Sequence, residues 1–141
     1  MIKNKRGERA PSHAKGFTLI EMLVVIAVVG ILAATVLTAL GPARNKAKDA
    51  RVISAIGQAR AIMETLYTNG SYPVSDTLAT DSRFTGTATE ITNNGGTSFT
   101  AKSDGPNYVI YALLNDGNYY CGDTSGAKEF SATAPSLYIC E

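Results

Sequence analysis

The feature that most restricts the fold of this 141-residue chain is a long apolar stretch near its amino terminus. From Met22 to Leu40 no side chain is charged, and Thr35 and Thr38 are the only polar ones. About 20 apolar residues are enough for a helix to cross the roughly 30 Å hydrocarbon core of a bilayer. The stretch therefore predicts a membrane-spanning helix. Glu21 stands directly before it, and a carboxylate at that depth is costly unless a partner offsets its charge.

Charge is distributed unevenly along the chain. Residues 1 to 16 contain five basic residues and one acidic residue, whereas the remainder contains eight basic and eleven acidic residues. Nucleic-acid affinity depends largely on clustered Lys and Arg side chains that neutralise phosphates. An acidic remainder does not offer such a surface, so nucleic acid is not expected as a partner.

A basic leader before an apolar stretch is also typical of a secretory signal peptide. An ordinary signal has a shorter apolar region of roughly 7 to 15 residues and a cleavage site made of small residues. The stretches "ILAAT" and "LTALG" offer such residues. A conventional signal peptide therefore stays open as an alternative.

Few side chains are suited to catalysis or metal binding. The single histidine, His13, lies in the basic leader, and no P-loop is present. The only cysteines, Cys121 and Cys140, are too few for a four-ligand zinc site. They suit one disulfide in an oxidising compartment, and two unrelated buried thiols are the alternative. We expect a structural protein without enzymatic activity, cofactor or metal.

The helical pattern resumes after the apolar stretch. Gly41-Pro42 should loosen or kink the helix, and the turn signal Asn69-Gly70 should end it. Between them lies an apolar stripe with helical spacing, which predicts an amphipathic helix. The stripe contains Val52, Ile56, Ala59, Met63 and Leu66, widened by Ile53 and Tyr67. Four basic residues precede it and are interpreted as a solvated face or headgroup anchors: Arg44, Lys46, Lys48 and Arg51.

The last third of the chain favours strands. Residues 75 to 106 are rich in Thr, Ser, Asn and Gly and are predicted as loops with one or two short strands. "NYVIYALL" and "NYYCG" are separated by "NDG", which predicts a hairpin, and "LYIC" is a candidate final strand. The expected fold class is α+β, with a long N-terminal helix packed against a small antiparallel sheet.

The heptapeptide Lys15-Gly-Phe-Thr-Leu-Ile-Glu21, between the basic leader and the apolar stretch, resembles the processing site of type IV prepilins and type II secretion pseudopilins. The resemblance implies a pilin-like fold and a prepilin peptidase that cuts between Gly16 and Phe17 and methylates the new amine of Phe17. The implied domains are a leader of residues 1–16, a hydrophobic helix of residues 17–41 and a head of residues 42–141. The head would include an amphipathic helix of residues 42–69.

The same resemblance gives Glu21 a role in filament assembly. It implies that the carboxylate pairs with the Phe17 amine of a neighbouring subunit. Such a pair would offset the cost of placing Glu21 in hydrocarbon. Small residues permit close helix packing, although they are also ordinary in membrane helices: Ala27, Gly30, Ala33 and Ala34. The family often has a proline where Thr38 stands here, which leaves the position of any helix unwinding open.

The cysteine pair resembles the disulfide-bounded C-terminal loop of many type IV pilins, a region often used for subunit contact or surface presentation. Asp116 and Asp123 suggest the calcium site of major pseudopilins. No alternating D-x-D-x-D ligand loop is present, however, so a metal site is not expected.

The expected function is that of a structural subunit of a type IV pilus. Its implied partners are identical or related pilin subunits, prepilin peptidase, the inner-membrane assembly machinery and, before assembly, membrane lipid. The implied location is a single-pass inner-membrane protein with its N-terminus inside, and then an extracellular filament. A type II secretion pseudopilin and a secreted or membrane-anchored binding module that does not polymerise are the alternatives.

Overall fold

The structure is a computed structural model that describes residues 16–126 and 128–140. Its chain forms two compact units, Met1–Ala39 and Leu40–Glu141. The predicted leader, residues 1–16, lies outside the described residues except for Gly16.

The described elements are two α-helices, two short 3-10 helices and four strands. Helix α1 covers Leu19–Thr65 and helix α2 covers Thr85–Asn93, and the 3-10 helices at Leu78–Thr80 and Ser82–Phe84 lie between them. The strands are β1 (Thr97–Ser103), β2 (Tyr108–Leu113), β3 (Tyr119–Asp123) and β4 (Lys128–Ser131). A long helix packed against a small antiparallel sheet confirms the predicted α+β fold class.

Helix α1 continues across Gly41 and Pro42, where the sequence predicted a loosened or kinked helix. The helix is not interrupted there. A proline has no backbone N–H, so one helical hydrogen bond is lost at Pro42. The backbone hydrogen bonds of the neighbouring residues can maintain the helix. At the other end, α1 stops at Thr65, and the turn at Asn69 and Gly70 follows with positive φ angles of 53° and 82°.

The second unit buries the predicted apolar stripe of α1. All five stripe residues are buried, and Ala55 joins them. Ile53 packs partly against the core, but Tyr67 is half exposed and does not widen the stripe as predicted. The sheet, α2 and the 3-10 helix Ser82–Phe84 complete this core with a set of buried apolar side chains: Phe84, Ile91, Ala101, Tyr108, Ile110, Ala112 and Tyr120.

The sheet is antiparallel with strand order β1-β2-β3-β4. Strands β2 and β3 form the hairpin predicted at "NDG", with Tyr111 paired to Cys121 and Leu113 paired to Tyr119. Gly117 has a φ of 88° in this turn, a conformation that favours glycine. Strand β1 is one of the short strands expected between residues 75 and 106.

Two predictions for the second unit are wrong. "LYIC", residues 137–140, is not a strand, because β4 already pairs with the free side of β3 at Cys121. Part of the predicted loop region forms helix α2, whose buried Thr87 and Ile91 pack against the core. Its sequence contains four threonines and one glycine and has low helix propensity, so tertiary burial stabilises a helix that local preference does not predict.

Candidate functional site

The predicted cleavage junction lies in an exposed segment without regular structure. Gly16, Phe17 and Thr18 precede helix α1, and the Phe17 side chain is 79% exposed. A Cβ atom added to Gly16 would meet no atom of the described chain within 4 Å. The fold of the described residues therefore places no packing requirement for glycine at this position.

Thr18 and Glu21 form a reciprocal cap at the start of α1. The backbone N–H and the hydroxyl of Thr18 both donate to Glu21 Oε2, each at 2.8 Å. In return, the backbone N–H of Glu21 donates to Thr18 Oγ1 at 3.3 Å. This is the capping box, in which a Thr and a Glu three residues later satisfy two N–H groups that a helix start leaves unpaired. The Glu21 carboxylate also lies where the helix dipole favours negative charge.

Sequence analysis missed this cap and the role of Thr18. The signal was present, because a T-x-x-E pattern directly before an apolar stretch is typical of a capping box. Both Thr18 bonds fall on Oε2, and Glu21 Oε1 accepts no hydrogen bond from the residues that the structure describes. The cap therefore occupies only one oxygen of the carboxylate.

The surface of the first unit is apolar and exposed. Its large apolar side chains from Phe17 to Leu37 are between 46% and 81% exposed. The hydroxyl of Thr35 donates to the Leu32 carbonyl at 2.8 Å, and that of Thr38 donates to the Thr35 carbonyl at 2.9 Å. Helix α1 is the one helix among the described residues that is long and apolar enough to cross a membrane. The hydroxyls of Thr35 and Thr38 thus donate hydrogen bonds to the backbone of their own helix. A hydrocarbon environment requires this because it offers polar groups no other partner.

The two cysteines form the predicted disulfide, which excludes the alternative of two unrelated thiols. Cys121 is buried in β3, and the backbone N–H of Cys140 donates to Asp123 Oδ2 at 2.9 Å. Two further side chains hold the C-terminal segment. Tyr138 Oη donates to Asp76 Oδ1 at 2.8 Å, and Lys102 Nζ donates to the Ser136 carbonyl at 3.3 Å.

Asp116 and Asp123, the two aspartates considered above as calcium ligands, accept hydrogen bonds from neighbouring residues. Asp116 Oδ1 accepts the Asn118 N–H at 2.9 Å, and Asp123 Oδ1 accepts both donors of Ser125 at 2.9 and 2.6 Å. Within residues 16–126 and 128–140, no three His, Cys, Asp or Glu residues are grouped to hold a metal ion. His13 lies outside the described residues.

Comparison with known proteins places these features in a family. Residues 11–37 match the model of the prokaryotic N-terminal methylation motif. The chain is 35% identical over 138 aligned positions to the type IV major pilin PilE of Neisseria gonorrhoeae, covering 85% of this chain and 82% of that protein. The chain belongs to the type IV pilin family.

Two further relatives of this pilin are also pilus or fimbrial proteins. It is 34% identical over 135 positions to a fimbrial protein of Neisseria meningitidis serogroup A, covering 84% of this chain and 79% of that protein. The type IV wide pilus major component PilA4 of Thermus thermophilus is 32% identical over 131 positions, covering 86% of this chain and 82% of that protein. No solved structure gives a significant match.

The predicted site residues of the pilin fall in two groups. Gly16, Phe17 and Glu21 lie within six residues of one another in the first unit, and Cys121 and Cys140 are bonded in the second. The matched motif covers the whole first group. Cleavage, methylation and pairing at these residues stay predictions.

Proposed function

We propose that this pilin is a structural subunit of a type IV pilus filament and carries no enzymatic activity. The observation that carries the proposal is the exposed apolar surface of α1, directly preceded by the Gly16-Phe17 junction and the Glu21 carboxylate. Exposed apolar surface of this extent needs lipid or protein around it. A bilayer meets this need before assembly, and the same helices of neighbouring subunits meet it in the filament.

Head-to-tail packing of identical subunits gives an open fibre rather than a closed ring when the rotation does not close. The pilin relatives named above support assembly with identical or related subunits. They are pilins and a fimbrial protein, which favours a pilus over the two alternatives, a type II secretion pseudopilin and a binding module that does not polymerise. The subunit inserts in the inner membrane with its N-terminus inside, and the assembly machinery then draws it into an extracellular filament.

Prepilin peptidase prepares the subunit by cutting between Gly16 and Phe17 and methylating the Phe17 amine. Three features support this step: the matched methylation motif, the exposed junction, and the fact that no atom of the described chain lies within 4 Å of a Cβ added to Gly16. Because no packing contact in the described chain requires glycine, a requirement for it at position 16 would arise from the peptidase. A residue without a side chain allows the backbone to extend into an active site.

Glu21 then guides assembly by pairing with the Phe17 amine of a neighbouring subunit. The capping box leaves Oε1 without a hydrogen bond in the described chain, so the carboxylate can keep its cap and accept the amine. Losing a cap costs about 0.5 to 2 kcal/mol, whereas breaking one side of a buried ion pair costs about 3 to 5 kcal/mol. The larger energy favours pairing as the reason for a carboxylate at this position.

Replacement of Gly16 tests processing. Gly16→Val should leave the full-length protein in membranes, while Gly30→Val, at another glycine with no atom within 4 Å of an added Cβ, should be cut normally. Mass spectrometry of the membrane protein gives the N-terminus. A mature N-terminus at Phe17 in the Gly16→Val variant, or one after Ala34 or Ala39 in the unaltered protein, would contradict the proposal.

Filament yield tests the role of Glu21. Glu21→Ala should be inserted and cut but should form few filaments, because it leaves the neighbour's amine unpaired. Thr18→Ala removes the capping hydroxyl and keeps the carboxylate, so it should still form filaments. Filaments sheared from cells are compared with processed subunit in membranes. Equal filament yields from Glu21→Ala and the unaltered protein would exclude the pairing.

A further inference from the structure

Basic side chains in the second unit are concentrated on one part of α1. Four of its eight basic residues lie between positions 44 and 51. Arg44, Lys48 and Arg51 follow one another at spacings of four and three residues, which places them on one face of the helix. All three are exposed. We refer to Arg44, Lys48 and Arg51 as the basic pole.

Contacts of α1 locate the basic pole at the turn between β2 and β3. Asp49, next to Lys48, is buried and accepts the backbone N–H of Asn115 at 2.7 Å. Asn115 belongs to the turn after β2. Asp116 in the same turn is exposed, so Asp49 and Asp116 supply two carboxylates at this level of α1. They face four basic side chains on the same part of the helix: Arg44, Lys46, Lys48 and Arg51. This end of the head therefore has an excess of positive charge.

Two exposed carboxylates lie together at the other end of the sheet. Tyr138 Oη donates to Asp76 Oδ1 at 2.8 Å. Ser75 and Ser103 form an antiparallel bridge, which places Asp76 and Asp104, the residues that follow them, on adjoining segments. The hydrogen bond to Asp76, then burial, then the charges of Asp76 and Asp104 raise the pKa of Tyr138. Lys102 is the nearby cation, and it is engaged by the Tyr138 ring, 5.4 Å from its centroid, and by a backbone carbonyl. We refer to Asp76 and Asp104 as the acidic pole.

The acidic pole adjoins the start of β2. Asp104 follows the last residue of β1, Ser103, which pairs with Tyr108 at the beginning of β2. Tyr108 Oη in turn donates to Glu64 Oε1, near the end of α1, at 2.8 Å. Strand β2 therefore leads from the acidic pole at Tyr108 to the basic pole at its far end.

Two independent estimates give the distance between the poles. Seven strand-like steps from Tyr108 to Asn115 span about 23 Å. Sixteen helical steps from Lys48 to Glu64 span about 24 Å. The two poles of one head cannot touch each other, and the head is electrostatically polar along the direction of α1.

We propose that the basic pole of one subunit binds the acidic pole of the next copy of this chain along the filament. The inference rests on the proposed function, since it names the surfaces that meet between heads. A second copy is the favoured occupant because the chain itself supplies complementary charges at opposite ends. Such a contact is heterologous and repeats without closing, as a fibre requires. Exposed charge pairs add little affinity, so their effect is to select the register between heads.

Zero-length cross-linking of sheared filaments tests the contact directly. A carbodiimide activates a carboxylate, and a touching lysine amine then forms an amide with it. We expect mass spectrometry to find Lys48 joined to Asp104 or Asp76. Because the poles of one copy are separated by about 23 Å, this product arises only between copies. Filaments that yield other lysine-carboxylate products but not this one would overturn the proposal.

Charge reversal provides a second test. Lys48→Glu with Arg51→Glu should reduce filament yield about tenfold, since repulsion replaces attraction at every repeat of the contact. Adding Asp104→Lys should restore part of the yield. Lys46→Glu is the matched control, because Lys46 is equally exposed but lies off the basic face.

The controls separate this inference from the proposed function. No filaments from the unaltered, processed protein would contradict the proposed function. The inference alone would be overturned if the unaltered protein and the double reversal both formed normal filaments while the double reversal lost binding to phosphatidylglycerol vesicles. That result would assign the basic pole to lipid headgroups.

Discussion

Replacing Asp49 tests the polar junction that fixes the β2–β3 turn to helix α1. Asp49 is 8% exposed, and its Oδ1 accepts the Asn115 backbone N–H at 2.7 Å and the Asn115 side-chain N–H at 2.8 Å. The same amide nitrogen donates to the Asn94 carbonyl at 2.9 Å. One carboxylate therefore connects α1 to the hairpin and, through Asn115, to the end of α2.

Asp49→Ala removes two hydrogen bonds to a charged acceptor and leaves a partly buried backbone N–H without its partner. A hydrogen bond to a charged group contributes about 1.5 to 3 kcal/mol, and an unsatisfied donor costs about 1 to 3 kcal/mol. These two estimates describe overlapping effects, so we expect a loss of about 2 to 4 kcal/mol in the free energy of unfolding. For a head of about 100 residues, this corresponds to a fall in Tm of roughly 10 to 20 °C.

Thermal unfolding of the processed subunit in mild detergent, followed by near-ultraviolet circular dichroism of its tyrosines, measures this loss. Asp49→Asn retains an oxygen acceptor and should lose about 1 kcal/mol. Asp116→Ala, at an exposed aspartate of the adjoining turn, is the control and should lose less than Asp49→Ala. A Tm for Asp49→Ala within a few degrees of the unaltered protein would refute the assigned junction.

Three further predictions concern the head. Cys140→Ser should lower the free energy of unfolding by about 2 to 5 kcal/mol in urea titrations, and unchanged stability would contradict a structural role for the disulfide. Gly122→Ala places a Cβ 2.6 Å from the Arg60 Cδ atom and should cost about 1 to 3 kcal/mol, with Arg60→Ala restoring part of the loss in the double variant. The Arg83 side-chain and backbone hydrogen bonds lower the pKa of Asp81 from 3.8 to about 2. The stability from this pair should therefore be present above pH 3.8 and lost as pH falls towards 2, and Asp81→Asn should reduce that dependence in acid unfolding curves.

The amino-terminal features could be predicted from the sequence because they depend on local patterns. Lipid is a uniform apolar solvent. The length and composition of an uncharged stretch are therefore enough to predict a helix that can lie in lipid. The hairpin at "NDG" is likewise a local preference, since two residues and a glycine set the turn. The T-x-x-E cap at Thr18 and Glu21 belongs to the same class and was missed although its pattern is local.

The head shows what local patterns could not predict. Helix α2 forms from a Thr-rich segment because the core buries Ile91. The final strand is β4, residues 128–131, which pairs with β3, and not the predicted "LYIC" segment. Both outcomes depend on which surfaces are left uncovered once α1 and the hairpin have packed. The Asp49–Asn115 junction joins residues 66 positions apart, and the acidic pole brings Asp76 close to Tyr138 over 62 positions. The sequence by itself determined the long apolar helix, the hairpin and the cysteine pair through local chemistry. Only the tertiary structure decided which distant polar groups became neighbours, because chain topology sets those distances.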